Sequence, residues 1–296
     1  MSASRRRGAD GGHCPLAPFG GPRLDPMSIV LGIDIGGSGI KGAPVDLETG
    51  DFAGERLRID TPAKSTPSNV ADVVAQIVDH FADQIGDAPI GLTVPAPVVH
   101  GHIPMIANLH KDWKGLEAET FFAERLGRPI TVVNDADAAG VAEVHHGAAK
   151  GVSGLVILTT QGTGIGSAII NNGVLIPNSE FGHLEIDGHD AESRAASSVK
   201  DKEGLSYKEW ATKRLQRYYE VVEALMWPDL FVIGGGVSKD HEKFIPLLKL
   251  RTPVIPAALR NKAGIIGAAT LAQQRVENPD VAPEVPAGEN TLVDED

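Results

Sequence analysis

Apolar positions along the chain change period several times, and each change marks an element. Ser28–Ile35 (SIVLGIDI) is a nearly continuous apolar run of strand length, as expected of a strand buried on both faces. Gly39–Val45 and Phe52–Ile59 read as shorter strands, with Gly50 marking the turn between them. From Thr66 the period becomes helical. Thr66 reads as an N-cap and Pro67 as the first helical residue, and Val70, Val73, Val74, Ile77, Phe81 and Ile85 then recur on one face. Next come a strand at Pro89–Val94, a helix at Gly115–Gly127, a strand at Pro129–Asp135 and an alanine-rich helix at Ala136–Ala149.

The second half starts as the first does. GLVILTTQGTGIGSAIINNGVLI gives a strand, a glycine-dense turn, a strand, an Asn172-Gly173 hairpin turn and a further strand. It parallels SIVLGIDIGGSGIKGAPVDLETGDFAG at nearly equal spacing, a weak internal repeat at the head of each half. A helical segment around Tyr207–Leu225, a strand at Asp229–Gly236 and a helix at 264–276 follow. Two halves of this kind predict two α/β lobes with a cleft between them.

Composition narrows the class. With 296 residues, 42% apolar and 22% charged, the chain can bury a core. It holds no apolar run of the roughly 18 residues that span a bilayer. A net charge of -12 argues against nucleic acid and anionic membrane as partners. Cys14 is the single cysteine, which excludes an intrachain disulfide and cysteine-rich zinc patterns and fits a reducing cytoplasm. Residues 1–26, rich in Gly, Pro and Arg, read as a disordered extension, because the Arg5–Arg7 run has no apolar segment behind it. Residues 277–296 read as a disordered acidic tail.

Three glycine-rich turns follow three strands: Gly36–Gly39, Gly162–Gly166 and Gly234–Gly236. Glycines let backbone N–H groups approach an anion closely, so each turn is either a plain hairpin or a phosphate nest. No P-loop or dinucleotide fingerprint is present. Asp135 stands at the carboxyl end of a strand, where open α/β sheets bind ligands. In NDADAAG, Asn134 or Asp135 could equally be a helix N-cap. His183, Glu185, Asp187 and His189 alternate along one stretch, which puts them on one face as a metal site or leaves them in a polar loop. His145 and His146 at a helix end would complement the helix dipole.

The series DIGGSGIKGA, NDADAAGVAE, TTQGTGIGSAI, EFGHLEI and VIGGGVSK resembles the ROK (repressor, open reading frame, kinase) family of sugar kinases from about Ile29 to Ala272. GHLEIDGHDAE and LRTPVIPAALRNKAGIIGAA are similar to its polyphosphate-using glucokinase branch. The resemblance implies an α/β, actin-like ATPase (ribonuclease H-like) fold of two lobes around a central cleft. It divides the chain into a lobe at 27–135, joined by the last helix, and a lobe at 136–263. It implies that Asp34, Gly36, Gly37, Ser38 and Lys41 form the first phosphate motif, with Asp34 holding Mg²⁺ through water. Thr160, Gly162, Thr163 and Gly164 would form the second, and Gly234, Gly235 and Gly236 would lie near the donor. Asp135 would be the catalytic base. Asn108, Asn134, Asp135, Glu180, His183 and Glu192 would bind sugar, with Val94–Val98 closing one side of the pocket. Many members complete a zinc site with cysteines after the Gly-His pair. No cysteine lies there in this chain, so no zinc is expected and His183 is left for sugar.

The implied reaction is transfer to the 6-hydroxyl of glucose, with mannose as a second acceptor, from inorganic polyphosphate or ATP, in a cytoplasmic homodimer. A strictly ATP-dependent kinase for glucose, mannose or an N-acetylated hexose stays open, as does a non-catalytic sugar-binding regulator. Arg194, Lys200, Lys202, Lys208, Lys213, Arg214 and Arg217 concentrate positive charge. Lys213, Arg214 and Arg217 are either a polyphosphate groove or a solvated helix face. Only 26 residues precede Met27, which disfavours a DNA-binding repressor.

Overall fold

In the computed structural model, which describes residues 29–279, the two apolar hairpins become the centres of two sheets. Strand β1 (Ile29–Ile35) pairs antiparallel with β2 (Ile40–Asp46), and Asp34 lies opposite Lys41. Two short strands, β3 (Asp51–Phe52) and β4 (Leu57–Ile59), share the outer side of β2 in place of the expected single strand. The break falls opposite Ala43 and Pro44, and proline has no N–H to give to a ladder. On its other side β1 runs parallel to β5 (Ile90–Val94), which runs parallel to β6 (Ile130–Asn134).

The second sheet repeats this plan. Strands β7 (Leu155–Gln161), β8 (Ile165–Asn171), β9 (Val174–Ile176), β10 (Leu230–Gly234) and β11 (Val254–Pro256) take the order β9-β8-β7-β10-β11, matching β3-β2-β1-β5-β6 in the first. The weak repeat in the sequence is a repeat of topology.

Helix α1 (Pro67–Ile85) buries its expected stripe against the first sheet, and Thr66 Oγ1 accepts the Asn69 N–H at 3.4 Å. Helix α2 (Ala118–Leu126) packs on the same core. Helix α3 (Asp135–His145) lies between the halves. Residues 207–226 form α4, one helix carrying a π-helical turn at Ala211–Leu215, and bury Trp210, Tyr218 and Tyr219 on the second sheet. Helix α5 (Ala263–Glu277) crosses the first sheet and meets α3 backbone to backbone. A Cβ at Gly267 would stand 1.8 Å from the Ala138 carbonyl oxygen. Small residues on α3 thus let it touch α5 on one side and β8 on the other, which holds Asp135 where the two halves meet.

No described helix is long and apolar enough to cross a membrane. The stretch 1–26 and residues 280–296 of the expected tail lie outside the described residues. Glu277, read as tail, closes α5.

Candidate active site

The carboxyl ends of β6 and β7 open into a cavity of about 400 Å³ between the halves. Its wall includes Asn108, Asn134, Asp135, Glu180, His183 and Glu192, the full set of expected sugar residues. Thr160, Gly162, Thr163, Gly164, Gly235 and Gly236 line the same cavity. Gly234 does not. It is the buried last residue of β10, paired with Thr160, and its Cα faces Ala257 inside the protein.

The ambiguity at Asn134 and Asp135 resolves cleanly. Asn134 is the N-cap of α3: its Oδ1 accepts the N–H groups of Ala136 (2.8 Å) and Asp137 (3.1 Å). Its Nδ2 donates to the Ala96 carbonyl at 3.1 Å. The cap is therefore filled without Asp135, whose carboxylate opens onto the cleft at the first position of the helix. That carboxylate has solvent in front of it but protein in nearly every other direction. Desolvation first, then the Asp34 charge, and more weakly Glu180, push its pKa up to about 7 against the pull of the Ala136 N–H. A carboxylate at the N-terminus of a helix with a pKa near neutrality suits proton acceptance at physiological pH.

The first hairpin lies beside the cavity. Asp34 is clamped by Lys41 Nζ (3.0 Å) and Thr93 Oγ1 (2.9 Å). Gly37 sits against the backbone of Asn108, where a Cβ would come within 3.3 Å of the carbonyl oxygen. The second hairpin lies in the cavity wall. Glu192 Oε2 accepts the Ile165 N–H at 2.9 Å, so close that a Cβ at Gly164 would fall 2.2 Å from that oxygen. Glu192 thus shapes the turn besides facing the cavity. Ser197 and Ser198, unmarked in the sequence, brace it further: their hydroxyls donate to the Gly162 (3.1 Å) and Thr163 (2.7 Å) carbonyls.

The expected alternation of His183, Glu185, Asp187 and His189 does not survive. The chain forms a tiny hairpin, Glu185–Ile186 against His189–Asp190, and reverses at Asp187 and Gly188, both at positive φ. Reversal sends Asp187 to Arg217 and His189 to Arg194. His183 meets Asp190 instead, at 2.9 Å, and this contact raises the imidazole pKa. Ligand atoms of His183, Asp190 and Glu192 lie within 4.8 Å of one another, the one metal-sized group among the described residues. Glu180 has its pKa raised by burial. Burial lowers the pKa of both His145 and His146, which works against the charged form that the expected dipole role would use.

Lys213, Arg214 and Arg217 line a separate hollow of about 220 Å³. Each has an acid partner: Glu209 at 3.4 Å, Glu203 at 3.0 Å and a two-pronged Asp187 at 2.7–2.9 Å. Asp187 is the opponent the local sequence does not reveal, because the hairpin brings it from 30 positions away.

Two topologically equivalent halves, with glycine hairpins and a carboxylate-tipped helix around one cleft, define an actin-like ATPase fold. The chain belongs to the ROK family, whose profile matches residues 30–196. It is 53% identical over 240 residues to the polyphosphate glucokinase of Mycobacterium tuberculosis (strain CDC 1551 / Oshkosh), covering 81% of this chain and 89% of that protein. The inorganic polyphosphate/ATP-glucomannokinase from Arthrobacter sp. strain KM superposes with a TM-score of 0.79 at 48% identity, covering 84% of this chain and 99% of that one. The ROK family glucokinase from Streptomyces griseus, solved in complex with glucose and AMPPNP, shares the fold at a TM-score of 0.70 and 23% identity, over 83% and 99% of the two chains.

Proposed function

We propose that this chain is a polyphosphate glucokinase, transferring the terminal phosphoryl group of inorganic polyphosphate to the 6-hydroxyl of glucose. ATP is the second donor and mannose the second acceptor, in line with the polyphosphate/ATP-glucomannokinase that the fold matches. The observation that carries the reading is the position of Asp135. It stands in one cavity wall with the second glycine hairpin and next to the charge of Asp34, while Asn134 fills the helix cap.

Asp135 takes the proton from the sugar hydroxyl as its oxygen bonds to phosphorus, a role contributing ~10²–10⁴-fold. The bond from phosphorus to the next phosphate breaks, and the donor leaves one unit shorter. Phosphoryl transfer asks mainly for positioning and charge neutralisation. The Gly162 N–H closes the turn on the Gly164 carbonyl at 3.0 Å, and the backbone N–H groups of Thr163 and Gly164 would hold the donor end. Glu180, His183, Asn108 and the free valences of Asn134 and Glu192 would hold the sugar. Asp34, a hard oxygen donor, would hold Mg²⁺ through water, and the ion would ease the repulsion between the Asp34 and Asp135 charges. Bound there, Mg²⁺ would supply charge neutralisation to the transferring group.

Lys213, Arg214 and Arg217 would form the polyphosphate track. Exposed ion pairs are worth only about 0–1 kcal/mol each, so a polyanion can take over the cations at little cost. Tyr218, whose hydroxyl is without a partner among the described residues, is in the wall of the same hollow.

The test is glucose 6-phosphate formation with ATP-free polyphosphate and with ATP, in wild type and in Lys213→Glu/Arg217→Glu. Turnover with polyphosphate is expected, with the double variant raising the polyphosphate KM roughly three- to tenfold and leaving the ATP KM unchanged. Turnover with ATP alone would make the chain an ATP-specific hexose kinase.

A further inference from the structure

Asn178 follows β9 in the second half of the fold, and Val98 follows β5 in the first. The Val98 N–H donates to Asn178 Oδ1 at 2.8 Å, and Asn178 Nδ2 donates to the Val98 carbonyl at 2.8 Å, a contact spanning 80 positions. One side-chain amide thereby replaces a strand partner and ties two loops from opposite halves. Asn178 is itself seated: its backbone N–H donates to Asp137 Oδ2 at 2.8 Å. Asp137 is 2% exposed, and its Oδ1 is without a partner among the described residues. A buried, half-satisfied carboxylate is costly and persists where the surroundings need it.

The backbone carries a second cost at the same point. Asn178 has φ +61°, a left-handed conformation that most side chains avoid and asparagine tolerates. Both costs serve one geometry. Pro95, Ala96 and Pro97 form part of the cavity wall, and their loop is pinned at Ala96 by Asn134 and at Val98 by Asn178. Two residues beyond Asn178 stands Glu180, in the same cavity wall. Ser179 between them accepts the Ser167 hydroxyl on its carbonyl at 2.7 Å, which fixes this segment to β8.

We propose that Asn178, seated on Asp137, is a positioning residue for the acceptor sugar. It latches the Pro95–Val98 wall of the first half to the Glu180 wall of the second, and so sets the width of the cavity where the sugar lies. The inference rests on reading this cavity as the sugar site. Because the latch is bonded to neither glycine hairpin, it governs sugar binding and the choice among hexoses more than the phosphoryl step.

Asn178→Gly tests it, since glycine keeps the positive φ and removes only the amide. The readouts are glucose KM, kcat, glucose Kd by calorimetry without donor, and the ratio of kcat/KM for glucose over mannose. Expected are a rise of about five- to thirtyfold in KM and Kd, a kcat within about threefold of wild type, and a lower ratio. Asn178→Asp keeps size and tolerance of φ but cannot donate to the Val98 carbonyl and sets a second oxygen against it, so its KM also rises. Asp137→Ala repeats the effect, and combining it with Asn178→Gly adds little more. A folded Asn178→Gly or Asn178→Asp enzyme with glucose KM and sugar ratio within twofold of wild type overturns the latch, whatever its melting temperature. A wild type that neither binds nor phosphorylates glucose overturns the sugar-site reading itself, and the latch with it, a result separable from equal activity in variant and wild type.

Discussion

The two glycine hairpins share the same seven-pair antiparallel ladder, yet differ at equivalent positions. In the penultimate rung the first hairpin has Asp34 opposite Lys41, an ion pair at 3.0 Å. The second has Thr160 opposite Gly166 there. The first turn is braced by Thr61, whose hydroxyl donates to the Gly36 carbonyl at 2.5 Å, and by Arg58, which donates to the Ser38 carbonyl at 3.0 Å. The second is braced by two serines and by the carboxylate of Glu192. Repetition thus supplied the same ladder twice, with an ion pair across this rung in one copy and none across it in the other. In the function proposed above, the first copy would serve the metal and the reacting phosphoryl group, and the second would hold donor phosphate through N–H groups.

Substitution at the matched rung separates the two hairpins most strongly. Asp34→Asn should lower kcat by ~10²–10³, the scale of a lost electrostatic stabiliser. Thr160→Ala should cost less than about tenfold, mainly in donor KM. Ser198→Ala, one brace removed from the second turn, should raise donor KM only about two- to fivefold. Steady-state kinetics with polyphosphate decides it, and equal kcat losses at Asp34 and Thr160 would erase the proposed division of labour.

A smaller effect concerns stability. Asp135 has a pKa pushed up to about 7 when folded, against an ordinary value near 4 in the unfolded chain. The folded state therefore holds the proton longer. Stability from this group is full below about pH 4 and is lost as pH rises through about 7. Buried Asp137, also pushed up to about 7, acts in the same direction. Asp135→Asn should accordingly raise Tm at pH 8 and change it less at pH 4.5, read by calorimetry. A lower Tm at pH 8 would contradict the destabilising charge.

Much of this was legible from the sequence because it is local. Strand and helix periods, the Thr66-Pro67 helix start and the glycine turns each depend on a few neighbouring residues. The repeat became convincing through sheet order, which no single segment carries. What escaped was held by distant partners. Asn178 finds Val98 across 80 positions and Asp137 across 41, and Ser197 finds Gly162 across 35. The alternation of acids and histidines at 183–189 misled for the opposite reason. A period of two assumes a straight chain, and Asp187-Gly188 turns it back. A signal did exist, since Asp-Gly between short apolar-polar alternations is a hairpin turn. Asn134 against Asp135 was undecidable locally, as either can cap a helix. The Ala136 and Asp137 N–H groups, both donating to Asn134 Oδ1, settle which one does.

In the proposed reaction Asp135 accepts the proton while its neighbours hold the sugar. Asp135→Asn, titrated with glucose by calorimetry and assayed with polyphosphate at pH 8, addresses it most directly. Glucose binding within a few-fold of wild type and a kcat lower by ~10²–10⁴ are expected. Retention of wild-type kcat, with binding intact, would contradict the assignment.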